Sequence, residues 1–359
     1  MSRLHKITMK KVGIPLLIAV LGFAGILPIW TFINRVHSDE YWPEIYPELV
    51  QMDSSVLDNM IIDVESNNYR VYSILIIKNG FLVKEWYQIP YDKDYLFRVF
   101  SVSKSVTSAL IGIALEKGYI ETLDEFVLDY FPDYDIANPS PEKDAMTIWH
   151  LLTMTTGLHW PEDYPYSDPR NPYNDWKASE DHVGFVLNRT MVAPPGTTFN
   201  YNTGASHLLS AIIQRATNMS TLDFANQYLF GPLSIEESLW YEDPQGVAGG
   251  GDNLYLRPRD MAKIGYLFLN EGNWEGEQVI SENWVRTSTS VMVDWGWVLD
   301  YGFQWWIASE DNLYRALGYG GQQINVFHSE DLIVVFTGMN TLYDFASYLI
   351  YNYILPSVF

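Results

Sequence analysis

The stretch Ser101-Val102-Ser103-Lys104-Ser105-Val106-Thr107-Ser108-Ala109-Leu110-Ile111-Gly112-Ile113-Ala114-Leu115 opens on hydroxyls and runs on as apolar residues. Its length and composition predict a buried helix with a polar N-terminal turn. Ser101 and Lys104 are three positions apart, so on a helix they share a face. No further charge follows Lys104 until Glu116, which predicts that Lys104 is buried with the helix. A serine is a poor nucleophile until a neighbouring base takes its proton, and a desolvated lysine is such a base. The helix N-terminus also favours a developing negative charge.

Two further elements gain meaning beside this one. Pro195-Gly196-Thr197-Thr198-Phe199-Asn200-Tyr201-Asn202-Thr203-Gly204 precedes a predicted helix over 206–215. A tyrosine on such a loop, Tyr201, can relay a proton where no histidine is at hand. Ala316-Leu317-Gly318-Tyr319-Gly320-Gly321-Gln322 leads into a strand. Its glycines allow close approach of a substrate to the strand, whose N–H groups can hold an oxyanion.

Working outward, the chain places strands near both ends and helices between them. Residues 71–77, the turn at Asn79-Gly80 and residues 81–87 predict a hairpin. Residues 301–307, 323–327 and 332–337 predict three more strands, and 342–354 a closing helix. Pro258 marks the start of a helix running to Leu269. Terminal strands that meet in one antiparallel sheet, with a helical lobe over about 123–240 inserted, make an α+β fold with a cleft between sheet and lobe. Trp160 and Trp176, in an aromatic-rich loop, are candidates to line that cleft, and Asp181 and His182 to contact substrate at its mouth.

The order of these elements resembles the serine hydrolases of the β-lactamase fold, over about residues 54–355. Ser101-x-x-Lys104 is followed by Ile148-Trp149-His150-Leu151-Leu152-Thr153-Met154-Thr155-Thr156-Gly157-Leu158, by Tyr201-Asn202-Thr203, by Pro258-Arg259-Asp260, and by the glycine-rich strand. The branches it is similar to are class C β-lactamases, β-lactamase-fold esterases and 6-aminohexanoate-dimer hydrolases. The resemblance implies an antiparallel sheet flanked by helices, an α/β sandwich, with a helical lobe. It implies acylation of Ser101, Lys104 as base and Tyr201 as proton relay. The oxyanion would lie between the Ser101 N–H and one from Gly318–Gln322, with Thr203, Gly318, Gly320, Gly321 and Gln322 around the substrate. No cofactor is implied.

Three departures bear on substrate. Thr203 replaces the family's asparagine in Tyr-x-Asn. The Lys-Thr-Gly or His-x-Gly triad reads Gly318-Tyr319-Gly320, with no cation to hold a carboxylate, which favours neutral esters or linear amides over β-lactams. Arg257 stands where relatives often carry a capping threonine, leaving Asp260 to support that helix. The activity expected is therefore that of a serine hydrolase on a small ester or amide. The alternatives are a peptidase of penicillin-binding type and an inactive binding member of the fold.

Composition narrows the rest. With 22 Lys+Arg against 44 Asp+Glu the net charge is −22, which repels phosphate backbones and argues against nucleic-acid partners. There is no cysteine, so thiol nucleophiles and disulfides are excluded. The seven histidines show no familiar ligand spacing, and no metal is expected. Residues 12–33 are uncharged and mostly apolar, long enough at roughly 33 Å to cross a bilayer. Four basic residues precede them and Trp30 sits near the far end. The expectation is a cytoplasmic stub and transmembrane anchor over 1–35, a linker over 36–53, and an extracytoplasmic hydrolase domain over 54–359. The alternative is a cleaved signal peptide.

Overall fold

Strand β1 (Val71–Lys78) and strand β12 (Leu332–Gly338), from opposite ends of the chain, pair antiparallel with Ile74 opposite Phe336 and Ile76 opposite Val334. A computed structural model describes residues 41–359 apart from 68, 295, 297 and 341–343. The pairing of the two ends builds a seven-stranded sheet, all neighbours antiparallel, in the order β2-β1-β12-β11-β10-β9-β8. Its other strands are β2 (Phe81–Tyr87), β8 (Asp300–Tyr301), β9 (Trp306–Ala308), β10 (Leu313–Gly318) and β11 (Gln322–Phe327). Nearly all of β1, β11 and β12 is buried, because helices cover both faces of the sheet's centre.

One face packs on α1 (Ser54–Ser66) and α11 (Phe345–Leu349), through Leu57, Met60, Val64, Phe345 and Leu349. On the other lies α9 (Pro258–Leu269), against β1, β11 and β12. Gly265 makes that approach possible: a Cβ there would lie 2.9 Å from methyls of both Ile324 and Ile333. The α2 helix (Val102–Glu116) is buried from Val102 to Ala114, as its apolar run predicted.

Between sheet halves come α3 (Pro141–Asp144), α4 (Ile148–Leu152), α5 (Tyr173–Ala178), α6 (His182–Leu187), α7 (Thr203–Thr217) and α8 (Thr221–Ala225). A small sheet of β3 (Phe97–Arg98), β5 (Leu254–Leu256) and β4 (Leu239–Trp240) joins this helical region to the start of α2. A minor hairpin, β6 (Asn273–Trp274) and β7 (Glu277–Gln278), and α10 (Glu282–Ser288) complete the order.

Three expectations change. Residues 301–307 are not one strand. The chain turns between β8 and β9, with Gly302 against the Ser288 carbonyl and Gln304 at φ 63°. The buried Gln304 side chain donates to the carbonyls of Leu151 (3.0 Å) and Leu152 (2.9 Å) and accepts from Ser206 (2.6 Å). Those bonds pin the sheet to the helical region and replace strand pairing. The closing helix starts at Phe345, capped by Asp344, and passes into a wider turn over Ile350–Ile354. The expected linker is part of the body from Trp42 onward: Trp42, Val50 and Met52 are buried, and the Trp42 indole donates to the Arg259 carbonyl. Among the described residues no helix is long and apolar enough to cross a membrane; the expected anchor over 12–33 lies outside them.

Candidate active site

Phe100 holds a φ of 47°, which a bulky side chain adopts only under constraint. The constraint comes from both sides. The Val99 N–H bonds the Leu254 carbonyl at 2.9 Å, and the Ser103 hydroxyl bonds the Phe100 carbonyl at 2.6 Å. This kink turns Ser101 out at the N-cap of α2. Among the described residues the Ser101 N–H makes no backbone hydrogen bond.

Lys104 is 1% exposed. Its Nζ lies 2.9 Å from Ser101 Oγ, 3.0 Å from Thr203 Oγ1 and 2.8 Å from the Gly251 carbonyl. Three acceptors match the three N–H bonds of an ammonium. The Tyr201 ring centroid lies 4.8 Å from the same Nζ, and that ring stacks on Trp306 at 5.7 Å. Ser101 and Lys104, expected together from their helical spacing, and Tyr201 and Thr203, expected there from the family resemblance, are thus brought together.

Thr203 has a second partner. Its hydroxyl donates to Glu162 Oε1 at 2.5 Å and its N–H to Oε2 at 2.7 Å. The Trp160 indole and the Tyr166 hydroxyl donate to the same carboxylate, at 2.6 and 3.1 Å. Four donors satisfy a buried carboxylate, which would otherwise be costly. The result is a continuous path from Glu162 through the Thr203 hydroxyl to Lys104 and Ser101. Thr203, shorter than the asparagine the resemblance implies, is held by Glu162 on the side away from Lys104.

Gly251 reaches Lys104 through a run of three glycines. A Cβ on Gly250 would lie 2.2 Å from the Ser206 carbonyl, and one on Gly251 2.7 Å from the Thr203 carbonyl. Only glycine lets this strand of chain pass between α2 and α7. Neither Glu162 nor Gly251 was foreseen. The glycine run at 249–251 is a visible signal; Glu162 has none.

Ser101 and Thr203 open on a solvent-accessible cleft of about 200 Å³. Its walls are aromatic: Tyr319 meets Phe100 at 5.6 Å and Tyr166 at 5.5 Å, and Tyr166 meets Tyr173 at 5.0 Å. Burial, with the nearby Glu162 charge, pushes the Tyr166 phenol up. Burial and Asp252 do the same to Tyr173, whose hydroxyl donates to Asp252 at 2.5 Å. Both remain neutral donors at ordinary pH. Arg98 lies in the wall with its Nη2 on Asn253 (2.8 Å) and Asp252 (3.2 Å).

Other expected site residues lie elsewhere. Trp160 and Trp176 are fully buried behind the cleft, since large rings pack best in the core; the loop's phenols Tyr166 and Tyr173 face it instead. Asp181 caps α6 by accepting the Gly184 N–H at 2.8 Å, and His182 is buried against Trp176. In the 318–322 turn, Gly318 packs on the Val99 carbonyl and Gly321 on the Phe345 ring. Gln322 points its amide into the sheet end at Gly338. The Gly321 N–H closes the turn on the Gly318 carbonyl. Of this turn Tyr319, 44% exposed, lines the cleft. His150 is half-buried and accepts the Thr147 N–H at 3.0 Å. Arg257 pairs with Glu237, and Asp260 with Lys263 at 3.1 Å.

Comparison with known proteins agrees with this architecture. The 6-aminohexanoate-dimer hydrolase of Paenarthrobacter ureafaciens is 24% identical over 285 residues, covering 73% of this chain and 71% of that protein. A family VIII carboxylesterase shares the fold with a TM-score of 0.67 at 15% identity, over 84% of this chain and 96% of that one. A penicillin binding protein from Bacillus halodurans does so with a TM-score of 0.65 at 19% identity, over 83% and 98%. A family model described as Beta-lactamase matches residues 62–349, from α1 through the sheet to α11, and the chain accordingly belongs to the β-lactamase family.

Proposed function

We propose that this chain is a serine hydrolase that cleaves a neutral ester or linear amide through an acyl-enzyme on Ser101. The observation that carries the reading is the 2.9 Å contact between the Ser101 hydroxyl and the buried Lys104 amine. In its neutral form that amine donates two N–H bonds, to Thr203 and to Gly251. Its lone pair is then left for the Ser101 proton. As Oγ attacks the substrate carbonyl, the proton passes to Lys104 and an O–C bond forms. The Ser101 N–H and one from the 318–322 turn hold the oxyanion. The proton returns through Tyr201 to the leaving alcohol or amine, whose bond to the carbonyl breaks. Water then releases the acid by the reverse of the same steps. Glu162 stabilises the protonated lysine through Thr203.

The aromatic walls fit an apolar acyl or alcohol group. Arg98 and Lys177 share the Asp252 carboxylate at this wall, while the Gly318-Tyr319-Gly320 turn brings no cation to the cleft. This supports neutral substrates over those of a carboxypeptidase. The same reading places the body outside the cytoplasm on an anchor over 12–33, which alkaline carbonate extraction of membranes tests.

The decisive experiment compares the parent with Ser101→Ala, using a short p-nitrophenyl ester and a fluorophosphonate probe followed by intact mass. Turnover and labelling in the parent, both lost in the variant, are expected. Equal activity in both would refute Ser101 as nucleophile, and silence in both would favour a binding role.

A further inference from the structure

A second buried polar cluster lies on the same helix as Thr203. His207 follows Thr203 by four residues on α7, and its Nε2 lies 2.9 Å from Asp243 Oδ2. His182, at the start of α6, brings its ring to 5.7 Å from that of His207. One donor atom from each of His182, His207 and Asp243 lies within 4.8 Å of the other two, and all three residues are buried. His182 is only 3% exposed, yet neither of its ring nitrogens has a hydrogen-bond partner, nor does His207 Nδ1. Buried nitrogens left unpaired are costly, so their retention asks for a ligand.

The surroundings hold the three groups in place. Asp243 Oδ1 accepts the N–H groups of Gln245 (2.8 Å) and Val247 (2.9 Å), which aims Oδ2 at the imidazoles. The Trp176 ring packs on His182 at 5.0 Å and on His207 at 5.4 Å, and its indole fixes the His182 carbonyl at 3.1 Å. Outer contacts of this kind orient metal ligands.

We propose that His182, His207 and Asp243 bind a divalent transition-metal ion of the zinc class. Two imidazoles and a carboxylate suit zinc, whose bonds to such donors are about 2.0–2.2 Å. The ion takes the place of the hydrogen bond between His207 Nε2 and Asp243 Oδ2, and the one ring proton of His207 moves from Nε2 to Nδ1. His182 closes on the ion by a side-chain rotation that breaks no hydrogen bond. Water fills the fourth position. The ion ties α6 and α7 to the segment that continues from Asp243 to Gly251 and Asp252. It therefore braces Thr203, the Gly251 carbonyl and one cleft wall, and takes no part in bond cleavage. The proposal stands apart from the hydrolase reading.

The test uses the full chain in detergent, stripped with chelator and titrated with Co²⁺ and then Zn²⁺. One equivalent of Co²⁺ with visible d–d bands is expected, bleached by Zn²⁺, with Tm raised by several degrees at saturation. His207→Ala should weaken Co²⁺ binding by at least ~100-fold, since loss of outer-shell partners alone costs up to that much. His182→Phe, which keeps a ring against Trp176, should do the same with an unchanged near-UV spectrum, guarding against a folding artefact. Failure of the parent to bind a stoichiometric ion, or equal affinity in parent and both variants, would overturn the site. Ester turnover and fluorophosphonate labelling, followed in parallel, report on the hydrolase separately.

Discussion

Thr203 and His207 stand one turn apart on α7, and each joins a buried polar cluster. Around Thr203 every bond is met: Lys104 has three acceptors and Glu162 four donors. Around His207 three ring nitrogens of two histidines have no partner. The first cluster is closed by the protein itself, so it is rigid and complete before any ligand arrives. The second leaves a His182 nitrogen open to something added. A buried network that is fully satisfied fixes geometry, whereas a partly satisfied one stores cost. The cleft therefore rests on one closed and one open support.

The largest effect expected from breaking the closed cluster is catalytic. Lys104→Met keeps the volume and removes the base, and should lower kcat/KM on a p-nitrophenyl ester by ~10²–10⁴-fold. Slow fluorophosphonate labelling of Ser101, not merely weaker substrate binding, would mark the loss as one of nucleophile activation. Labelling at the parent's rate would remove Lys104 from the mechanism.

Stability separates the two clusters next. Glu162→Ala strands the Trp160 indole, the Thr203 N–H and two hydroxyls, and should cost about 3 kcal/mol or more in urea unfolding, at ~1–3 kcal/mol per orphaned group. In chelated buffer His182→Phe should cost less than about 1 kcal/mol, because its nitrogens give up no hydrogen bond. With zinc present the two costs should approach one another. Equal costs in chelated buffer would mean that the clusters do not differ as described.

How much of this was legible follows from how local each contact is. Ser101 and Lys104 are three residues apart, so helix geometry alone places them together. That the terminal strands meet in one sheet was legible because the hairpin at Asn79-Gly80 and the late strands each carry their own turn and apolar signals; that β1 takes β12 as its neighbour was not. Glu162 reaches Thr203 across 41 residues and an irregular loop, where no periodicity points. The zinc-class ligands are likewise gathered from two helices and a loop, so their spacing carries no pattern. Trp160 and Trp176 misled because aromatic content marks a core and a cleft alike. The phenols, which need a partner for their hydroxyls, ended at the wall. Tyr319 was hidden inside a triad reading that gave its place to Gly318, whose own role is close packing on Val99. Tyr319→Ala should accordingly raise KM for bulky esters by ~10-fold and leave kcat within a factor of a few, since Tyr319 lines the cleft wall and has no bond to Ser101 or Lys104 among the described residues. A fall in kcat alone would place it in the chemistry.

The smallest effect concerns a third polar contact, half-buried at the edge of the sheet. Glu85 on β2 accepts Arg259 Nε at 2.8 Å and Nη2 at 2.5 Å, tying the sheet edge to α9. Burial pushes the Glu85 carboxyl up, but the hydrogen bonds from Arg259 and Tyr87 outweigh it and hold the group below its usual 4.5. A carboxyl with a depressed folded pKa binds fewer protons folded than unfolded in that window. Its contribution is thus fully present above pH 4.5 and is lost as pH falls through the lower folded value. Glu85→Gln should flatten the acid limb of Tm against pH below about 4.5 and leave the neutral limb parallel to the parent's. An unchanged acid limb would show that the pair gives the folded state nothing that protonation can remove, and that closure of hydrogen bonds at Lys104 matters for its place in the cleft and not for being buried and paired.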